Sequence, residues 1–349
     1  MKRKGLLCGA LALCLTLALA ACGGGGQTST PAAGGSSADS SSGDSYRIRV
    51  AHVCGTGAPF DYGAQEFKKL VEERSGGRIT VEVFAGDMTT DEVEAVEMAQ
   101  NNNLEIAWVG TGSISGFVPE LGVFQLPFLF QDLDHVEAAI AGEFGQTMID
   151  KVSAVDGLVA IGFHEDGWRN ILTNNIPINS VEDMKGVRMR AMMDPVCVAM
   201  YESMGSVPIS LASGEQFTGL QNGVVDGTDN SALYAKADGY IEAVNCICDI
   251  HHFYTSGIVV CSQTWFERLS AEDQALIRTA AEEAGAAQRA WFLDADESLI
   301  AEYEEKGYTV TRPTDLDAWK AATQSTYDKM YAEHPDWEPL VTMIQNAKP

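Results

Sequence analysis

The chain has 349 residues and a formal charge of −26, from 23 Lys and Arg against 49 Asp and Glu. That balance disfavours nucleic acid and anionic membrane surfaces as partners. Apolar and aromatic residues run through the whole sequence, which excludes a disordered chain, and roughly 300 residues beyond the N-terminal region suffice for two compact domains.

Lys2, Arg3 and Lys4 precede an apolar run from Gly5 to Ala21. Basic residues ahead of such a run form a secretory signal, and its length is short for a membrane span. The run ends in Leu19-Ala20-Ala21-Cys22, which resembles a bacterial lipobox, so residues 1–21 are expected to be a signal and Cys22 the lipid-bearing N-terminus. Several acyl chains on one cysteine make a stable anchor where one does not. Residues 22–45 are mostly Gly, Ser, Ala, Thr and Pro, which cannot bury enough apolar surface to fold and read as a flexible tether of ~25 Å reach. The chain is thus expected to be exported and lipid-anchored at the outer face of the cell membrane, either periplasmic or at the cell surface.

From Tyr46 onward, short β-like runs alternate with longer helical ones. Arg47–Val53, Ile79–Phe84, Leu104–Val109 and Leu158–Phe163 read as strands, with helices at Pro59–Arg74 and Thr90–Asn101. Thr89 and Glu92 have the spacing of a capping box. A second block repeats the pattern. A cap at Ser180–Asp183 precedes a strand at Val187–Ala191, a helix at Pro195–Met204, a capping box at Ser213–Gln216 and a short buried strand at Val224–Gly227. Ile258–Ser262 is a further strand. Ser270–Asp273 opens the longest helix, to about Glu305, with Phe292, Ala295, Leu299 and Tyr303 on one face and Gly285 as a place to bend. At ~50 Å such a helix spans two domains. Alternating strands and helices define the α/β class with a largely parallel sheet.

Enzyme signatures are missing: no Gly-x-Ser-x-Gly elbow, dinucleotide fingerprint or P-loop. The six histidines form no ligand cluster. Adjacent His251 and His252 point apart, and His135 reads as a helix-start residue. Of the eight cysteines, Cys54, Cys197, Cys246, Cys248 and Cys261 lie in the folded part, an odd number best read as buried free thiols. No metal and no cofactor is called for. Two arginines in apolar settings do stand out, Arg169 after Trp168 and Arg190 in Val187–Ala191. On that strand Arg188 and Arg190 share one face, and Val187, Met189 and Ala191 the other. A guanidinium on a rigid strand presents a fork that matches a carboxylate, although the pattern alone equally suits an ordinary surface or domain-pairing arginine.

The chain resembles the solute-binding proteins of TRAP (tripartite ATP-independent periplasmic) transporters, of DctP type, over most of residues 47–310. The resemblance lies in Phe67–Ile79, Val118–Phe130, Pro177–Arg190, Gly219–Asn230, Ile250–Tyr254 and Thr264–Ser270, in that order. It implies two hinged α/β lobes like those of periplasmic binding proteins, joined by a long helix. Residues 46–166 plus 256–297 would form one lobe, and 167–255 plus 298–349 the other. It further implies that Arg190 pairs with a ligand carboxylate, that Arg169 and Asn230 line the same cleft, and that Asp229 orients Asn230 or the second lobe. Ser213 stands where many relatives carry an aromatic residue, and Met192 and Met193 offer an apolar lining; Trp108 and Trp168 read as core. The implied partners are a small carboxylate and the two membrane subunits of the transporter, with the chain itself monomeric. Service to an ATP-driven importer or presentation of a ligand to a sensory receptor are the alternatives.

Overall fold

In the computed structural model, residues 44–348 are described. The expected signal, the Cys22 anchor and nearly all of the tether lie outside them. Nine strands form one sheet: β1 (Tyr46–His52), β2 (Ile79–Ala85), β3 (Ile106–Gly110), β4 (Leu158–Thr173), β5 (Arg188–Ala191), β6 (Val207–Ser210), β7 (Gly227–Asn230), β8 (Cys246–Ser262) and β9 (Thr309–Thr311). Their order is β2-β1-β3-β8-β4-β7-β5-β6, with β9 beside β8.

The sheet has two parallel halves. β1 pairs in parallel with β2 and β3, and β5 does so with β6 and β7. Between them β4 and β8 run antiparallel to each other through three register shifts, at Ala160/Gly162, Glu165/Gly167 and Arg169/Ile171. Both strands are far longer than the alternation in the sequence predicts. The expected lobe boundaries at 166/167 and 255/256 therefore fall inside continuous strands, and that at 297/298 falls inside the helix Ala271–Glu305.

Successive side chains of a strand face opposite sides, and each half accordingly has a core on each face. In the first half Ala51, Ala107 and Val109 point into one core and Val50, Ile106 and Trp108 into the other. In the second half Ile171, Met189 and Cys248 pack with Trp319 on one face, while Leu172 and Ile247 pack with Leu220 and Tyr303 on the other. Trp108 and Trp168 are core residues, as expected, and all five described cysteines are buried and unpaired.

Local signals fared unevenly. Asp183 accepts from Ser180 N at 3.1 Å, one half of the expected box, and the Ser270 side chain accepts from Asp273 N. Thr89 does not cap. Asp91 takes that place, accepting from Val93 N, because the Glu92 carboxylate turns inward to accept from Gly110 N at 2.7 Å. At the next expected box the cap shifts by one residue, with Glu215 accepting from Ala212 N. The long helix runs unbroken through Gly285, where a Cβ would collide with the Phe163 carbonyl oxygen. That glycine serves close helix–strand packing rather than a bend. No described helix is long and apolar enough to cross a membrane.

Candidate functional site

The parallel strands of both halves direct their carboxyl ends at one cleft, where ligands bind in open α/β sheets. Val53 and Cys54 follow β1, Ser113 lies beyond β3, Met192 follows β5, Ser213 lies beyond β6 and Asn230 ends β7; all line the cleft. β4 contributes Asp166 and Arg169 from its irregular middle, and Glu92 enters from the first turn of its helix. Of the residues expected at the site, Arg169, Arg190 and Asn230 are brought together here. Met192 and Ser213 join them, whereas Met193 turns outward and is 59% exposed.

The two arginines differ in what already holds them. Arg169 Nε donates to Asp229 Oδ1 at 2.7 Å, its Nη2 to the Asp229 carbonyl at 2.9 Å, and its Nη1 lies 3.7 Å from Asp166. Tyr201 Oη donates to the other Asp229 oxygen. Asp229 therefore orients Arg169 rather than Asn230. Burial works against its charge, but the facing Arg169 keeps its carboxyl below the usual range. The Arg169–Asp229 pair is an internal strut.

Arg190 has no such partner. Only its Nε is engaged, donating to the Leu211 carbonyl at 3.0 Å, and no described carboxylate forms an ion pair with it. The side chain is 2% exposed, and burial pulls its pKa below that of an ordinary arginine, with Asp229 opposing the shift. An unpaired buried charge is costly, so its two terminal nitrogens, facing the cleft, are set to receive an anion. Arg188, at the start of the same strand, is spent on Asp226 and the Gly223 carbonyl.

Opposite these cations stand carboxylates that the sequence did not reveal. Glu92, Asp166 and Asp238 all line the cleft. Asp238 accepts from Gly55 N at 3.1 Å, whereas Asp166 takes no hydrogen bond from a described residue. Burial pushes the Asp166 carboxyl up to about 7, against the pull of Arg169, and raises Glu92 and Asp238 as well. Phe60, Gln216 and Tyr234 complete the wall. Of the histidines weighed in the sequence, His252 is buried with Nδ1 on the Arg169 carbonyl, and His135 sits in the first turn of its helix, its N–H capped by Asp132. Among the described residues no group of His, Cys, Asp and Glu is arranged to hold a metal.

A sheet in two parallel halves, crossed by long shared strands and closed over an arginine-bearing cleft, is the architecture of a two-lobed solute-binding protein. Residues 50–334 match the model of bacterial extracellular solute-binding protein, family 7 (DctP), and the chain belongs to that family. A solute-binding protein of Chromohalobacter salexigens is 27% identical over 332 residues, 95% of this chain and 98% of that one. The periplasmic TRAP solute-binding protein of Pseudomonas putida with bound D-glucuronate superposes with a TM-score of 0.80 at 30% identity, covering 87% of this chain and 98% of that one. That of Sulfurospirillum deleyianum with bound succinate gives 0.81 at 28%, covering 87% and 100%. These relatives are transport proteins, not enzymes.

Proposed function

We propose that the protein captures a small organic acid in this cleft and hands it to the membrane subunits of a TRAP transporter for uptake driven by an ion gradient. The observation that carries the reading is Arg190, fully buried with two terminal nitrogens free of any described partner. The ligand carboxylate would sit on those nitrogens, with Arg169 and Asn230 beside it. Glu92, Asp166 and Asp238 favour a ligand whose remainder donates hydrogen bonds, since a second carboxylate there would meet like charge. A hydroxylated monocarboxylate, such as a sugar acid, fits better than a plain dicarboxylate.

The cleft is drawn down to about 30 Å³, room for roughly two waters at ~10–15 Å³ each. A six-carbon acid enters only if the lobes part. We place the lobes at 46–166 plus 256–297 and 167–255 plus 298–349. The crossing strands support a hinge there: two of their three register shifts cluster at residues 165–171, and Gly167 adopts φ +98°. Export and lipid anchoring through Cys22 fit delivery at the membrane surface.

Calorimetry with glucuronate, galactonate and succinate on the wild type and Arg190→Ala tests this reading. Binding of a sugar acid that is lost in the variant is expected; unchanged affinity in the variant would reject the role of Arg190.

A further inference from the structure

A second, larger groove lies away from the cleft and shares none of its lining residues. Its walls are the helices Leu133–Ala141 and Glu143–Ser153 on one side and Ala271–Glu305 on the other, with Ile161 and Phe163 of β4 between them. The volume is about 900 Å³, within the ~300–1,000 Å³ of small-molecule sites. The close turn between the two short helices holds one wall in place: at Gly145 a Cβ would run into the Ile140 carbonyl, so no side chain fills that corner.

Into this groove projects Arg289, only 8% exposed. Its Nε and Nη1 are buried without a hydrogen-bond partner. The one described carboxylate in reach, Glu137, is 3.5 Å from Nε and half exposed to solvent. Glu165, which feels the Arg289 charge, is still raised to about 8 by burial, so at neutral pH it offers little compensating charge. Arg278, the other groove arginine, is already occupied, with Nη1 on the Ala160 carbonyl at 2.9 Å and its guanidinium over Phe266. A buried guanidinium with idle donors, beside Ile140, Ile149, Ile161 and Phe163, is polar at one end and apolar along the rest.

We propose that this groove is a second ligand site, which takes a small monocarboxylate with an apolar body and seats the carboxylate on Arg289. A single negative charge is specified because Glu137, Asp150 and Glu282 rim the groove and would repel a dianion. The apolar body lies along the isoleucines, where its burial contributes as it would in a core.

The test is calorimetric titration of octanoate into the full chain, with octanol as the uncharged control. Octanoate is expected to bind at one site at least tenfold more tightly than octanol. Arg289→Gln should weaken it about tenfold, and Arg190→Ala should leave it within twofold, which separates this groove from the cleft whatever the cleft binds. Should Arg289→Gln fail to fold, Ile149→Gln, on the half-exposed wall, serves instead and is also expected to weaken octanoate about tenfold. Octanoate binding that disappears in Arg190→Ala, that matches octanol, or that survives the groove substitution unchanged would overturn the proposal.

Discussion

Arg169 Nε meets Asp229 Oδ1 at 2.7 Å, while Arg190, on the strand beside that of Asp229, forms an ion pair with no described carboxylate. Both guanidiniums are buried in the same cleft, so the pairing decides which one is available. With its second oxygen held by Tyr201, Asp229 neutralises Arg169 and fixes it in place. The pair furnishes a rigid wall, and Arg190 a binding group.

Removing Asp229 should therefore damage the fold before it damages the chemistry. Asp229→Ala strands the Arg169 charge and leaves Tyr201 Oη without its acceptor. Breaking a buried pair from one side costs about 3–5 kcal/mol. A large fall in the denaturation midpoint is expected, and a midpoint equal to that of the wild type would show that the strut carries no load.

Arg190→Met should do the opposite to the ligand-free protein. A buried charge that no described carboxylate pairs with directly is replaced by an apolar chain, which removes a desolvation cost. The variant is expected to melt a few degrees higher without ligand, yet to gain nothing from added acid. Truncating one side of a desolvated charge pair costs about 2–5 kcal/mol of affinity, a loss of roughly thirtyfold or more. A lower melting point without ligand would mean that the bond to the Leu211 carbonyl outweighs the cost of burying the charge.

Asp166 sets a pH dependence. Its carboxyl is pushed by burial from 3.8 to about 7, so the folded protein keeps a proton that the unfolded chain releases. Its contribution to stability is therefore complete below about pH 4 and is lost as pH rises through about 7. Asp166→Asn should be more stable than the wild type at pH 8, with the difference vanishing near pH 4. Asp194, Asp296 and Glu165 are raised to about 6, 7 and 8, so the slope is reduced rather than abolished. Thermal melts across pH 4–8 give the comparison, and parallel curves would remove Asp166 from the account. The same variant should also bind succinate more tightly relative to glucuronate.

The sequence disclosed what local pattern controls. β1, β2 and the helix Pro59–Arg74 follow from alternation and helical spacing, and Arg190 from a cation set on a short strand. The second half of β4 is hidden because the apolar run stops at Phe163 and the residues from His164 to Asn170 are mostly polar. Its polar side chains are buried and held by distant partners: Arg169 by Asp229, and the Asn170 side-chain oxygen by the amides of Ile250 and His251. Glu92 was misread for a related reason. Its spacing from Thr89 suits a cap, but the amide of Gly110, eighteen residues on, competes for the carboxylate and prevails. Acids such as Asp166 and Asp238 become a cleft wall only through tertiary folding, and no local spacing marks them.

Gly285 offers a test in which two effects oppose each other. In a solvent-facing helix interior, glycine to alanine gains roughly 0.5–1 kcal/mol from reduced unfolded-state freedom. Here the helix lies against β4 so closely that the added methyl would strike the Phe163 carbonyl oxygen, with His164 Cα just behind it. Backbone cannot step aside as a flexible side chain does, and overpacking of this kind costs about 1–3 kcal/mol. The clash outweighs the propensity gain, so Gly285→Ala should lower the melting temperature. Because Phe163 leads through Glu165 into the register shift at Gly167, the same substitution should also disturb the crossing strands and weaken acid binding in the cleft. A variant that melts higher than the wild type would show that the helix and strand are not in contact at this point.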